Sequence, residues 1–230
     1  MKSSKRDLYK SVDRFRTKYS FSVSDPIDIP LLIERSKHIC VEYANLKTPG
    51  LCGLAMVGDI EDTIVLNSNR TKTEQRFDCS HELIHLYLHR CVERSFNCFT
   101  APRSKQNSFL EWQANEGAAE MLVPYRDFIP RFYRHFCEMK QEPFDGVPIQ
   151  AKLADFYSVS TQVIENRIQS LSYEIHQYSQ GVPICEIVLM SRAQQKRQGI
   201  QPPDYNDICN SAFIQYEFEK SITGYEPDYA

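Results

Sequence analysis

The segment His81-Glu82-Leu83-Ile84-His85 constrains this chain more than any other part of its sequence. Apolar residues continue after it at Leu86 and Leu88, as expected for a buried helix. Residues four apart lie on one face of a helix, so the two imidazoles can bind a single metal ion. Glu82 lies about 100° around the helix from His81, where its carboxylate can take a proton from a water molecule at that metal. Two buried histidines beside a glutamate need partners, which favours a metal site over a surface helix with chance histidines.

A second helix is predicted at residues 109–122, which are rich in helix-forming residues and end just before a proline. A catalytic zinc ion takes three protein ligands and keeps one position open, so one carboxylate is sought here. Glu111 shares its face with alanines that allow close packing on another helix, whereas Glu116 and Glu120 lie about 140° and 180° away and are expected to face water. The predicted metal ligands are His81, His85 and Glu111.

Two further polar residues stand close to these ligands. Asn115 lies one turn after Glu111 on the same side of its helix, where it can accept the free ring N–H of a ligand histidine. The alternative for Asn115 is an ordinary polar surface position. His89 lies one turn after His85 and is predicted to interact with the carbonyls at the helix end, because a fourth protein ligand would close the open position.

The sequence reads RFDCSHELIH at residues 76–85 and EWQANEGAAEMLVP at residues 111–124. These two segments resemble the ImmA/IrrE family of metallopeptidases, in which an H-E-L-G-H helix precedes an E-x-x-A-N-x-F-A-A-E-L-L-M-P helix, and the general layout agrees over residues 25–175. Ile84 stands where the family often has glycine, and Gly117 where it often has phenylalanine. The resemblance implies a gluzincin-type zinc peptidase with Glu111 as the third ligand.

The resemblance also implies a role, since ImmA/IrrE-like peptidases cut helix-turn-helix repressors and so release the genes that those repressors silence. We therefore expect a site-specific zinc endopeptidase whose protein partner is such a repressor. The alternative is a transcriptional regulator or a metal-sensing interaction module that keeps a zincin fold without peptidase turnover. Residues 149–171 are typical of a helix-turn-helix, but the second helix sets Glu165 against a single arginine, Arg167, which disfavours nucleic acid as a partner.

Composition and charge indicate which partners and which cellular compartment to expect. A net charge of −3 over 230 residues gives no global signal for nucleic-acid binding. No apolar run reaches transmembrane length and no signal peptide is apparent, so we expect a cytoplasmic protein without a membrane partner. The eight cysteines form no C-x-x-C pair, which disfavours a zinc ribbon and predicts reduced thiols. Cys91 and Cys98 flank one loop and are the pair suggested for oxidising conditions.

The predicted fold class is α+β, with a small, mostly antiparallel sheet ahead of the zincin-type H-E-x-x-H helix. The run Asp78-Cys79-Ser80 offers an N-cap for that helix. A first helix is predicted at residues 5–19, where apolar residues recur at helical spacing within a basic stretch; this pattern predicts an amphipathic helix with a solvated charged face. Strands are predicted at residues 39–43, 51–57, 63–67 and 184–190, a loop at 91–108, and further helices at 29–36, 128–140 and 206–222.

Three domains are predicted along the chain. Residues 1–125 form the zincin-like metallopeptidase core and residues 126–180 a helical, helix-turn-helix-like segment that follows a linker. Residues 181–230 form a C-terminal extension whose structure the sequence does not define.

Overall fold

The computed structural model describes residues 4–101, 103, 104, 106–138 and 148–201, with side chains described for all of these except 136–138. Within this part of the chain, nine α-helices and a four-stranded sheet give the predicted α+β fold. The chain divides into two compact units, one of residues 7–124 with 157–160, the other of residues 1–6, 125–156 and 161–230 in so far as these are described. The domain limits at residues 125 and 180 stay predictions, and the linker at 142–147 and the helix at 206–222 lie outside the described residues.

The unit of residues 7–124 carries the sheet and the histidine motif. It contains most of α1 (Lys5–Lys18), then α2 (Ile29–Ser36), β1 (Ile39–Ala44), β2 (Leu51–Met56), β3 (Asp62–Asn67), α3 (Lys72–Ile84), a single π turn (His85–His89), β4 (Ser95–Phe99) and α4 (Ser108–Leu122). The predicted early helices and the first three strands are therefore confirmed, with ends that differ by a residue or so.

The sheet has the order β1–β3–β2–β4, in which β1 and β3 run parallel and the other two pairs run antiparallel. Ile64, Ala55 and Phe96 face one another across three of these strands and are all buried. The loop predicted at residues 91–108 is wrong for β4, whose buried Phe96 and Cys98 alternate with exposed polar neighbours as in a half-buried strand. β4 forms one edge of the sheet as described.

The helix that carries the histidines begins earlier than the sequence suggested. Thr71 is its N-cap and forms a capping box with Glu74, each side chain binding a backbone N–H of the other residue. The N-cap predicted at Asp78 is wrong, because Asp78 is buried inside the helix and pairs with Arg70, with Nε and Oδ2 2.6 Å apart. The added turns let α3 cross the buried face of the sheet before it reaches the motif.

The predicted exposure of two α4 glutamates is also wrong. Glu116 accepts a hydrogen bond of 2.5 Å from the hydroxyl of Tyr9, and Glu120 is fully buried. Both glutamates lie on the side of α4 that contacts α1. The charged face of α1, which was predicted to be solvated, is also partly buried. Arg16 is buried and donates to the carbonyls of Ser22 and Met121 at 3.1 Å and 3.0 Å, which ties the end of α1 to the end of α4.

The other unit is helical in its described residues. It contains α5 (Tyr125–Glu138), α6 (Ile149–Tyr157, of which Tyr157 belongs to the first unit), α7 (Thr161–Ser170), α8 (Ser172–Ser179) and α9 (Arg192–Arg197). The apolar residues of α7 and the residue that follows it are buried: Val163, Ile164, Ile168 and Leu171. None of the helices in the described residues is long and apolar enough to span a membrane.

The strand predicted at residues 184–190 is wrong. The segment forms a turn followed by irregular backbone. The amide of Gln177 replaces a neighbouring strand, accepting from the N–H of Val188 at 2.9 Å and donating to its carbonyl at 3.0 Å. A side chain that satisfies the backbone in this way removes the need for a sheet partner.

Candidate metal centre

Three predicted ligand side chains converge at the contact between α3 and α4. The Nε2 atoms of His81 and His85 lie 3.1 Å apart, and they lie 3.4 Å and 3.6 Å from the two carboxylate oxygens of Glu111. Both imidazoles are 1% exposed, whereas the Glu111 side chain is 19% exposed. The site is therefore closed on the histidine side and reachable on the glutamate side.

The proton of His81 is fixed by Asn115. Nδ1 of His81 lies 3.1 Å from the side-chain oxygen of Asn115, which can only accept a hydrogen bond. Nδ1 therefore carries a ring proton, and in the neutral tautomer Nε2 presents its lone pair towards His85 and Glu111. Asn115 therefore lies beside a histidine of the motif, as the sequence predicted. Its residue surface is exposed, but its side-chain oxygen contacts His81.

A longer chain of hydrogen bonds fixes the proton of His85. Nε2 of His89 lies 3.2 Å from the amide oxygen of Gln113, so this nitrogen of His89 carries the proton and Nδ1 accepts. Nδ1 of His85 lies 3.0 Å from that acceptor and must donate, which again leaves Nε2 bare. Burial and the neighbouring histidines lower the pKa of His85 to about 2, and burial lowers the pKa of His89, so both rings are neutral.

The prediction for His89 is wrong, because this side chain is buried beneath His85 and does not cap the helix end. His89 ends a π turn, a feature that recurs at functional sites, and its ring contacts His85 and Gln113. Sequence reasoning also missed Gln113 and Phe96, whose ring stacks on His85 with centroids 4.4 Å apart. The repeat of histidine at positions 81, 85 and 89 was the one signal that pointed to a third residue on this face.

The donor set fits a zinc ion. In these tautomers two imidazole lone pairs and a carboxylate converge, an arrangement that a bound cation stabilises. A tetrahedral zinc ion with bonds of about 2.0–2.1 Å holds its ligand atoms about 3.3–3.4 Å apart, and the three separations here bracket that value. His81, His85 and Glu111 also form one of the two groups of potential metal ligands found among the described residues.

The environment of Glu82 is typical of a catalytic acid or base. It is fully buried, and neither carboxylate oxygen makes a hydrogen bond within the described residues. Burial, followed by the charges of Glu111 and Asp78, raises its pKa well above the ordinary value. Gly53 of β2 leaves space on one side, because a Cβ there would lie 3.7 Å from Oε1 of Glu82.

The contact between α3 and α4 depends on two residues of complementary size, Ile84 and Gly117. A Cβ added to Gly117 would lie 2.9 Å from Cδ1 of Ile84, closer than real Cβ contacts come. Ile84 is 1% exposed and fills the space that the glycine leaves. The two positions where the chain departs from the ImmA/IrrE pattern therefore compensate each other, and the helices that carry the ligands stay close.

Comparison with known proteins agrees with this geometry. A family model described as the IrrE N-terminal-like domain of the M78 peptidases matches residues 47–169, which include the sheet from β2 onwards, α3 and α4. No curated protein matches the chain. The match spans more than half of the chain and contains both ligand-bearing helices. The chain therefore belongs to the M78 peptidase family, a family of metallopeptidases.

Proposed function

We propose that this protein is a zinc-dependent endopeptidase of the gluzincin type that cuts a helix-turn-helix repressor at a specific site. The observation that supports the chemistry is the convergence of two bare imidazole nitrogens, one partly exposed carboxylate and one unpartnered buried carboxylate. His81, His85 and Glu111 would hold the zinc ion. A zinc ion there would act as a Lewis acid towards a peptide carbonyl.

Glu82 is the proposed general base. Its carboxylate takes a proton from the attacking water and then delivers that proton to the amide nitrogen that leaves. Within the described residues neither oxygen accepts a hydrogen bond, so both can bind water. Asn115 and the His89–Gln113 pair act as positioning residues, because they hold the two ligand rings in the tautomer that presents Nε2.

An extended substrate is proposed to bind along β4. β4 forms an edge of the sheet as described, and an edge strand can pair with an added strand from another chain. Phe96 of this strand contacts His85, so the edge adjoins the metal centre.

The metal assignment is tested by elemental analysis of purified protein. We expect one zinc ion per chain, and a sharp loss of zinc when His81, His85 or Glu111 is replaced by alanine. Glu93→Ala is the control, because this glutamate is exposed. Full zinc retention in Glu111→Ala would contradict the ligand set.

The base assignment is tested with Glu82→Gln, which keeps the shape of the side chain but does not accept the proton. We expect it to retain zinc and to lose peptidase turnover by roughly a hundredfold or more. Glu93→Gln is the matched control and should retain turnover. A turnover rate in Glu82→Gln close to that of the unaltered protein would show that Glu82 is not the base.

The repressor substrate rests on what ImmA/IrrE-like peptidases do and is tested directly. Repressors encoded beside this protein's gene are incubated with it, and the products are identified by mass spectrometry. We expect a single cut that chelation prevents, that Glu82→Gln does not make, and that abolishes repressor binding to DNA. Broad digestion of unrelated unfolded proteins, with the repressor left intact, would contradict the proposal.

The alternative, a zincin-fold regulator that binds DNA through α6 and α7, has weaker support. Arg167, the arginine of α7, is buried at 1% exposure and is not presented to a phosphate backbone. The exposed residues of α7 are uncharged apart from one glutamate: Thr161, Gln162, Glu165, Asn166 and Gln169. Tight, sequence-specific binding of duplex DNA at physiological salt would favour this alternative.

A further inference from the structure

A second cluster of reactive side chains lies beside the metal centre in the unit of residues 7–124. Cys52 of β2, Cys98 of β4 and Asp78 of α3 bring their sulfur and carboxylate atoms within 4.8 Å of one another. Both cysteines are free thiols and are buried, at 2% and 7% exposure. The cluster uses none of the metal ligands and has no part in the proposed proton transfers.

A bulge in the sheet brings the two thiols together. β2 and β4 pair as Leu51 with Phe99 and then as Gly53 with Cys98, so Cys52 is an extra residue and two residues of β2 face Cys98. The two sulfur atoms lie within 4.8 Å of each other, close enough for side-chain rotation to bring them to bonding distance. The neighbour of Cys98 is therefore Cys52, and the pair suggested by the sequence is not favoured, because Cys91 is exposed.

The charges at the cluster favour redox chemistry over a second metal ion. Arg70 already pairs with Asp78 at 2.6 Å, and its positive charge would repel a cation bound between the carboxylate and the thiols. The hydrogen bond from Cys98 lowers the pKa of Cys52 and Arg70 adds to this effect, whereas burial, Asp78 and Glu74 oppose it. The same bond and burial raise the pKa of Cys98. When Cys52 carries its proton, the thiol can donate a hydrogen bond to the carbonyl of Gly50, 3.5 Å away. Cys52 is thus suited to attack an oxidant and Cys98 to complete the reaction.

We propose that Cys52 and Cys98 form a redox-active pair that hydrogen peroxide converts to a disulfide. The Cys52 thiolate attacks one peroxide oxygen and the O–O bond breaks, which gives a sulfenic acid and, after protonation, one water. The sulfur of Cys98 then attacks the sulfur of Cys52, loses its proton and releases the second water. Two sulfurs have together given two electrons to one peroxide, and a dithiol reductant reverses the change.

The test uses the full-length, zinc-loaded protein. It is treated with hydrogen peroxide, its remaining thiols are blocked with an alkylating reagent, and its peptides are mapped by mass spectrometry. We expect one linked peptide joining residues 52 and 98, a loss of two free thiols per chain, and recovery of both after reduction. A higher melting temperature of the oxidised protein should accompany the link, since a cross-link restricts the unfolded chain.

Matched variants separate this pair from the other cysteines. Cys52→Ser and Cys98→Ser should each abolish the linked peptide, whereas Cys91→Ser should leave it unchanged. If a variant fails to fold, the peptide map of the oxidised, unaltered protein still tests the proposal. Separate alkylation of Cys52 and Cys98 after peroxide, a link from Cys98 to Cys91, or a second zinc ion that is lost in Cys52→Ser would each overturn the proposal.

Discussion

At the scale of single residues, the metal centre depends on where each ring proton sits. Asn115 and His89 hold the Nδ1 protons of His81 and His85 away from the point where the Nε2 atoms meet. A ligand histidine that loses such a partner can turn or change tautomer, and metal affinity falls.

His89→Phe should weaken zinc binding by about 10- to 100-fold, because it fills the same space but accepts nothing from Nδ1 of His85. Competition against a chelator of known affinity measures the change. His38→Ala is the control, since His38 is exposed and lies outside the cluster. An unchanged affinity in His89→Phe would show that His89 only packs against the site.

At the scale of elements, the contact between α3 and α4 can be tested by exchanging its two complementary residues. Ile84→Gly should cost about 3–5 kcal/mol of unfolding free energy through a cavity and a helical glycine. Gly117→Phe should cost about 2 kcal/mol or more through overpacking. The double variant should recover at least about 1 kcal/mol relative to the sum, as measured by urea denaturation with a chelator present. Additive costs would show that the two side chains do not compensate.

The capping box at the start of α3 should give the protein a pH-dependent part of its stability. Hydrogen bonds from the backbone and side chain of Thr71 lower the pKa of Glu74 below its ordinary value of 4.5. A lowered folded-state pKa stabilises above that ordinary value, and the contribution is lost as pH falls through the folded-state pKa. The stability lost in Glu74→Ala should therefore be largest near neutral pH and shrink in acid, as followed by urea denaturation. Glu93→Ala controls for the loss of a surface charge, and a cost for Glu74→Ala that stays constant with pH would contradict the bond.

Local patterns predicted the elements whose signal lies within one helical turn or one strand. The four-residue spacing of His81 and His85 and the wheel position of Glu111 placed these three residues in neighbouring helices, and the structure brings them together. The same wheel failed for Glu120, because its burial depends on α1, which is distant in sequence. The π turn also escaped prediction, since the sequence of residues 85–89 does not distinguish a wide turn from an ordinary one.

At the scale of the whole molecule, bound zinc should stabilise the folded state against unfolding. A metal ion that binds only the folded state stabilises it by about 2.7 kcal/mol when its free concentration is a hundred times its dissociation constant. Chelation should therefore lower the melting temperature of the protein. Glu111→Ala should melt at one temperature with or without chelator, which separates the loss of bound zinc from any direct effect of the reagent. An unchanged melting temperature for the unaltered protein would contradict a metal held by buried ligands.

The fit between Ile84 and Gly117 also restricts how relatives of this chain can diverge. A lineage that passes between an isoleucine–glycine pair and a glycine–phenylalanine pair changes one residue at a time. The intermediate with two glycines leaves a void, whereas the intermediate with isoleucine and phenylalanine forces two side chains into one space. Each intermediate is therefore less stable than either matched pair. The two positions should co-vary among relatives of this chain, because a change at one position favours a change at the other.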